Sequence, residues 1–204
     1  MKKKIRFFRQ HSLETCGISC ILMILDYYGK VKYPTSGQEM KLYRLYGCRS
    51  FKGTLASAIA DCLSKNGLHV GLYHSSAGYM ENEDGYYPEE LYRAMLEEYT
   101  ETVQQIRNRV PVETECVFSP EWYRRKLDEG KQLIVQCIVP GDADGMHDKT
   151  LHWILLYGYE GSMFLACDPL SCKIRLSEEE VEYYTKTPVG SICVTVDSGD
   201  NKEE

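Results

Sequence analysis

Long apolar runs are missing from this sequence of 204 residues. None approaches the roughly 18 residues that a membrane-spanning helix requires. The run 18–25 loosely imitates a signal peptide, but it includes Ser19 and Cys20 and is followed by Asp26 instead of a small-residue cleavage site. These absences argue against a membrane span and a secretory signal, so we expect a soluble, cytoplasmic protein.

Positive charge is scarce as well. Lys and Arg number 24 against 30 Asp and Glu, which gives a net charge of −6 and a pI near 5.5. No stripe rich in Lys or Arg follows the first nine residues, and nucleic-acid binding needs such a basic face. We therefore expect no nucleic-acid partner, and since no cofactor motif is present we expect no cofactor.

Tight metal-ligand spacings are also absent. No Cys-x2-Cys pair occurs, and the group formed by His147, His152, Cys167 and Cys172 lacks the spacing of a usual zinc site. The segment 142–145 faintly imitates a calcium loop but lacks the downstream ligands. We expect no metal site, and we interpret 142–145 as a turn or loop.

Nine cysteines are present, without regular spacing. An odd number would leave a thiol unpaired in a secreted protein, so the count favours a reducing compartment. Cysteine is among the most buried residue types, and four members are interpreted as packing residues: Cys20, Cys62, Cys137 and Cys193. Cys16 requires another interpretation because of the stretch in which it lies.

That stretch runs from Gln10 to Gly29. Apolar residues recur there at steps of three and four, which predicts a buried helix from about Cys16 to Tyr28, and Gly29 suits the end of that helix. Cys16 then falls at the helix N-terminus, where unpaired N–H groups and the helix dipole favour an anion. A thiolate is the form that attacks carbonyl groups, so Cys16 is a candidate nucleophile.

The remaining pattern predicts helices first and an antiparallel sheet second, which is an α+β arrangement. Besides the helix at Cys16, three helices are expected in the first half of the chain, near 37–46, over 55–63 and after Pro88. Two more helices begin at the capping signals Ser119-Pro120-Glu121 and Ser177-Glu-Glu-Glu180. Strands are expected at 68–73, 132–139, 151–159, 163–167, 172–176 and 192–196.

The domain organisation that we expect is a single domain over 1–198. Residues 1–9 form a basic arm or one short strand, and 199–204 form a frayed tail. Acidic residues dominate 78–115, which we interpret either as a solvated face or as an acidic insertion or lid that prefers basic peptides.

A cysteine nucleophile needs a base and a group that orients the base. His152 opens one apolar strand and Asp168 follows the next, and the turn 159–161 would make these strands a hairpin that brings the two residues together. Gln10 lies six residues before Cys16, where its side-chain amide could stabilise an oxyanion together with the Cys16 N–H. The four residues fill the roles of an acyl-transfer site.

Two segments carry a family resemblance: Gln10…Cys16-Gly17-x-x-Cys20…Tyr27-Tyr28-Gly29 and His152-Trp-Ile-Leu-Leu-Tyr-Gly158…Asp168-Pro169. In them the chain resembles the papain-like bacteriocin-processing peptidases, which cut double-glycine leaders. The resemblance covers about 6–66 and 119–196 and implies a papain-like fold with a catalytic helix packed on an antiparallel sheet. It also implies Cys16 as nucleophile, His152 as base, Asp168 as orienting group and Gln10 as oxyanion donor. Thr15 stands where the exporter-linked members carry Asp, so we expect a stand-alone, soluble relative.

Three functions fit this site. The first is a cysteine peptidase that hydrolyses a peptide or protein substrate, with leader or precursor processing as a candidate role. The second is an acyltransferase or transpeptidase that uses the same thioester with an amine acceptor. The third is a papain-like binding module without activity. The sequence does not distinguish hydrolysis from acyl transfer, and it does not predict the oligomeric state.

Overall fold

The computed structural model describes residues 4–140 and 149–199, and within these ranges it has the predicted α+β architecture. The helices are α1 (Cys16–Tyr27), α2 (Ser36–Tyr46), α3 (Ala56–Lys65), α4 (Glu89–Ile106), α5 (Pro120–Asp128) and α6 (Glu178–Thr185), with a short 3-10 helix at Glu83–Gly85. The strands are β1 (His69–His74), β2 (Val112–Glu113), β3 (Gln132–Pro140), β4 (Lys149–Glu160), β5 (Met163–Cys167), β6 (Lys173–Leu176) and β7 (Ile192–Asp197).

The predicted helices and strands are confirmed to within a few residues. Two details differ. Residues 4–9 contain neither helix nor strand, and the two-residue strand β2 was not predicted because it is too short to show a period. Within the described ranges, no helix has the length and apolar character needed to cross a bilayer.

The sheet has the strand order β2-β1-β7-β3-β4-β5-β6. Its neighbours pair antiparallel, as expected, except β1 and β2, which are parallel. The expected C-terminal sheet is therefore wider than predicted, because β1 from the first half of the chain pairs with the last strand, β7. Period and turn signals are local, and they carry no information about this long-range pairing.

Apolar side chains cover both faces of the central strands. On one face, Ile134 and Leu155 pack in a core with helices α1, α3 and α4. On the other face, Leu133 and Val135 pack with helices α5 and α6. This burial on both sides explains why β3 reads as a continuous apolar run instead of an alternating one.

Helix α1 is buried along almost its whole length, from Cys16 to Asp26. At its start, Gly17 allows a close approach to the sheet, since a Cβ there would lie 3.0 Å from Thr54 Cβ and 3.1 Å from Trp153 Cδ1. The Trp153 indole is held in place by a 2.9 Å hydrogen bond from Nε1 to the Thr54 carbonyl. The Cys-Gly pair thus lets the N-terminus of α1 lie directly against β4.

The acidic segment 78–115 contributes helix α4 to the core. Met95, Tyr99 and Val103 are buried on one side of this helix. On another side, Glu98 accepts hydrogen bonds from the backbone N–H groups of Arg49 and Ser50. Helix α4 is therefore packed against the rest of the fold on more than one side.

Candidate active site

Cys16 is the first residue of helix α1, and only 6% of its surface is exposed. The preceding residue, Thr15, makes no side-chain hydrogen bond to the helix N–H groups. The first turn of a helix leaves N–H groups without intrahelical acceptors, and these groups attract an anion. The Cys16 sulfur therefore lies at an uncapped helix N-terminus, as the sequence predicted.

His152 lies near the start of β4 and is 5% exposed. Its Nε2 atom is 2.8 Å from Asp168 Oδ1, and because a carboxylate can only accept, Nε2 donates this hydrogen bond. Asp168 follows β5 directly, so the β4–β5 hairpin brings the two residues together as expected. The other ring nitrogen, Nδ1, is left for a second partner.

The turn after β5 holds the Asp168 carboxylate in place. Oδ1 also accepts the Leu170 N–H at 2.9 Å, and Oδ2 accepts the Ser171 hydroxyl at 2.7 Å. Burial alone would raise the pKa of Asp168, but the hydrogen bonds from His152 and Ser171 lower it below its usual value. Asp168 is thus a carboxylate fixed by three hydrogen bonds, one of them to the imidazole of His152.

Cys16 is the second partner of His152. Burial alone would lower the pKa of His152, but hydrogen bonds with Asp168 and Cys16, together with their negative charges, raise the pKa to about 9. An imidazolium next to a thiolate is the reactive state of a cysteine nucleophile and its base. The structure therefore brings His152 and Asp168 into direct contact, with Cys16 close enough to affect the charge of His152.

Gln10 is placed next to these residues, but its amide points elsewhere. Its backbone N–H donates to the Pro169 carbonyl at 2.9 Å, which fixes it beside the Asp168 turn. Its side-chain Nε2 donates to the carbonyls of Ser12 and Leu13, at 2.9 and 3.3 Å. In this structure the predicted oxyanion donor therefore binds its own loop.

One residue near the site was not singled out from the sequence. Glu39 of helix α2 is fully buried, and its carboxylate accepts hydrogen bonds from His11 and Thr15, in the loop before Cys16. The partners are 28 and 24 residues away in sequence, so neither a motif nor a helical spacing links them. No local signal could have identified this contact.

Three other thiols near the site, Cys20, Cys137 and Cys167, are buried, whereas Cys172 in the turn after β5 is exposed. Burial raises the pKa of Cys20 and Cys137 well above that of an ordinary thiol, and it raises the pKa of Cys167 to about 11. All nine cysteines are free. No group of three or more His, Cys, Asp or Glu in the described ranges could hold a metal ion, and His147 and the segment 142–145 lie outside those ranges.

Part of the acidic segment lines a cavity of about 690 Å³. Glu81, Glu83 and Asp84 form one side, and Ile138 of β3 lies at another. Ile138 pairs with Leu151, the residue before His152. The cavity therefore reaches the pair of strands that includes β4, but none of the four candidate residues lines it, and Lys186 lies among the acidic residues.

A helix that starts with a cysteine and packs on a mainly antiparallel sheet is the architecture of the papain-like class. Within that class the assignment is specific: the family model described as the Peptidase_C39-like family matches residues 2–187, so the chain belongs to this family. The family resemblance stated from the sequence is confirmed. Membership supports a peptidase of the cysteine type.

Two solved structures are similar to this chain. One is the crystal structure of a double glycine motif protease from an AMS/PCAT transporter in complex with the leader peptide, with 15% identity and a TM-score of 0.49, covering 96% of this chain and 93% of that one. The other is described as a C39-like peptidase from Bacillus anthracis, with 14% identity and a TM-score of 0.47, covering 95% and 94%. No curated protein matches the chain.

Proposed function

We propose that this protein is a cysteine peptidase that hydrolyses a peptide or protein substrate with Cys16, His152, Asp168 and Gln10. The single observation that carries the proposal is the arrangement around His152, which donates a 2.8 Å hydrogen bond to Asp168 and has Cys16 among the groups that raise its pKa. Membership of the Peptidase_C39-like family supports the same reaction class.

The proposed reaction has two halves. The Cys16 thiolate attacks the substrate carbonyl, and the Cys16 N–H stabilises the resulting oxyanion. The imidazolium of His152 gives its proton to the leaving amine, which departs and leaves a thioester on Cys16. His152 then takes a proton from water, the hydroxide adds to the thioester, and the released thiolate restores the starting state.

Gln10 would supply the second oxyanion donor. Its Nε2 carries two hydrogens, which here donate to two carbonyls of its own loop. One of those contacts, the 3.3 Å bond to Leu13, is long for a hydrogen bond and would be exchanged most readily for an oxyanion. In the proposed mechanism this exchange takes place when substrate binds.

The substrate class that we propose is a peptide segment, such as the leader of a precursor. Glu81, Glu83 and Asp84 line a cavity that reaches β3, the strand paired with the His152 strand, and their negative charge supports a preference for Lys or Arg in the substrate. Profiling of a peptide library by mass spectrometry, with wild type and Cys16→Ala in parallel, identifies the cleaved sequences and shows whether basic residues are enriched.

Substitution of the nucleophile provides the main test. We expect Cys16→Ala to lose all peptide cleavage and also the rapid labelling by low concentrations of iodoacetamide, because burial raises the pKa of the neighbouring thiols of Cys20, Cys137 and Cys167. Cys20→Ala is the matched control, since Cys20 lies one turn further along α1 and is fully buried. If Cys16 is labelled no faster than the other thiols, and cleavage persists in Cys16→Ala, the proposed function is wrong.

A further inference from the structure

A buried carboxylate lies behind the nucleophile and takes no part in the proposed reaction. Glu39 is the fourth residue of α2 and has 0% exposure. Burial of a charged group is costly unless donors surround it. The N-terminus of α2 favours the negative charge of Glu39. The shorter hydrogen bonds come from the loop that precedes Cys16, and the Ser19 hydroxyl of α1 adds a longer one of 3.5 Å.

The two ends of that loop meet at one oxygen atom of Glu39. Oε1 accepts the His11 N–H at 2.9 Å and the Thr15 hydroxyl at 2.5 Å. Oε2 lies 2.6 Å from His11 Nδ1. His11 directly follows Gln10, and Thr15 directly precedes Cys16. A single rigid group therefore sets the separation between the two proposed oxyanion donors.

The hydrogen bond between Thr15 and Glu39 also affects the N-terminus of helix α1. Thr15 is the N-cap residue of α1, and a threonine there usually accepts a hydrogen bond from the first turn of its helix. Here its hydroxyl lies between two acceptors, 2.5 Å from Glu39 Oε1 and 2.8 Å from the Ser12 carbonyl, and its single hydrogen is shared between them. With its oxygen directed at Glu39 and Ser12, Thr15 makes no hydrogen bond to the N–H groups at the start of α1.

We propose that Glu39 is a positioning residue that, through His11 and Thr15, holds the backbones of Gln10 and Cys16 at the separation from which the Gln10 amide and the Cys16 N–H stabilise the oxyanion when substrate binds. This inference rests on the proposed function. Glu39 does not touch the substrate, so its removal should affect the transition state more than substrate binding. An error of about 1 Å in such a site can cost about a hundredfold in rate.

The test compares Glu39→Ala, Glu39→Gln and Thr15→Val on a peptide that wild type cleaves. Glu39→Ala should lower kcat by about 10- to 100-fold with KM changed less than about threefold. Alkylation of Cys16 by iodoacetamide should change by less than about threefold, because that displacement forms no oxyanion. Thr15→Val removes the hydrogen bond between Thr15 and Glu39 but keeps the one from His11, and it should lower kcat by about tenfold. Glu39→Gln retains Oε1 and should recover most of the activity.

Glu98→Ala is the matched control, because Glu98 also holds a loop through backbone N–H groups but lies on α4. It should leave kcat unchanged. Unaltered kcat in folded Glu39→Ala and Thr15→Val would overturn the inference and leave the proposed function intact. Parallel losses of kcat, alkylation rate and thermal stability would also overturn it, because they indicate a merely structural role. Absence of Cys16-dependent cleavage in wild type would instead contradict the proposed function, and this inference with it.

Discussion

His152 shows how burial and two neighbours together set the charge of one side chain. Burial favours the neutral imidazole, whereas Asp168 and Cys16 favour the charged form, and the second effect is larger because the pKa rises to about 9. The proposed peptidase therefore has its general acid protonated at neutral pH. The dependence of rate on pH follows directly from this state.

We expect kcat/KM to fall as the pH rises through about 9, because neutral His152 cannot protonate the leaving amine. Asp168→Asn keeps an acceptor oxygen but removes the charge, so the pKa of His152 should fall and the alkaline limb should move to lower pH. Asp168→Ala removes the acceptor as well and should lower kcat further, by roughly 100-fold or more. Rates measured from about pH 6 to pH 10 give both results.

Asp128→Asn is the control for this series. Like Asp168, Asp128 accepts a hydrogen bond from a side chain, here the Tyr159 hydroxyl at 2.7 Å. Asp128 lies on the surface at the end of α5. It should keep the wild-type pH profile. An alkaline limb that stays at the same pH in Asp168→Asn would contradict the orienting role of Asp168.

At the scale of elements, the position of helix α1 depends on how closely its first turn approaches β4. Three side chains would contact a Cβ at position 17: Thr54 at 3.0 Å, Trp153 at 3.1 Å and Ile59 at 3.2 Å. All three are buried, and Trp153 is also fixed by its hydrogen bond. A side chain at position 17 could therefore be accommodated only if the helix that carries Cys16 moved.

We expect Gly17→Ala to destabilise the fold by about 1–3 kcal/mol, which is the usual cost of overpacking. The helix start should also move, so kcat should fall. Gly37→Ala is the matched control, because Gly37 lies in the first turn of α2 with its nearest neighbour 3.9 Å away. Alanine there should be neutral or stabilising by about 0.5–1 kcal/mol. Urea denaturation of both variants measures the difference, and equal stability would show that the contact at Gly17 is not tight.

Sequence patterns predicted the elements well because each pattern acts over a few residues. The Ser119 and Ser177 caps form as expected, with hydrogen bonds from the N–H groups of Trp122 and Glu180. The β4–β5 hairpin could be predicted because its strands adjoin in sequence. The pairing of β1 with β7 could not, since more than 100 residues separate them and no local signal spans that distance.

At the scale of the whole molecule, the sheet separates two cores and also connects them to the acidic segment. His74 of β1 makes that connection: it is fully buried, and its Nε2 lies 2.6 Å from the Tyr99 hydroxyl of α4. Burial lowers the pKa of His74 to about 4. His74 and His152 are thus buried histidines with opposite pKa shifts, and both affect the stability of the fold.

We expect the free energy of unfolding to be greatest near pH 6.5. The contribution of His74 is present above 6.5 and is lost as the pH falls toward 4, because the unfolded chain takes up the proton first. The contribution of His152 is complete below 6.5 and is lost as the pH rises through about 9. Each change amounts to about 3 kcal/mol. Urea denaturation at about pH 5, 6.5 and 8.5 provides the measurement.

Two variants test which histidine causes the loss of stability on each side of pH 6.5. His74→Gln should flatten the acid side and His152→Ala the alkaline side, whereas His69→Gln, at the exposed end of the same strand β1, should leave both unchanged. A profile with the same slopes in all three variants would show that neither histidine controls the pH dependence.

The sequence alone determined the local features of this protein. The helix of α1 with Cys16 at its start, the neighbouring positions of His152 and Asp168, and the family all follow from short-range spacing and motif. Only the tertiary structure decided which carbonyls accept hydrogen bonds from the Gln10 amide and where α4 packs. It also decided that Glu39 binds the loop before Cys16. Those contacts join segments tens of residues apart, and they depend on chain packing that no local period encodes.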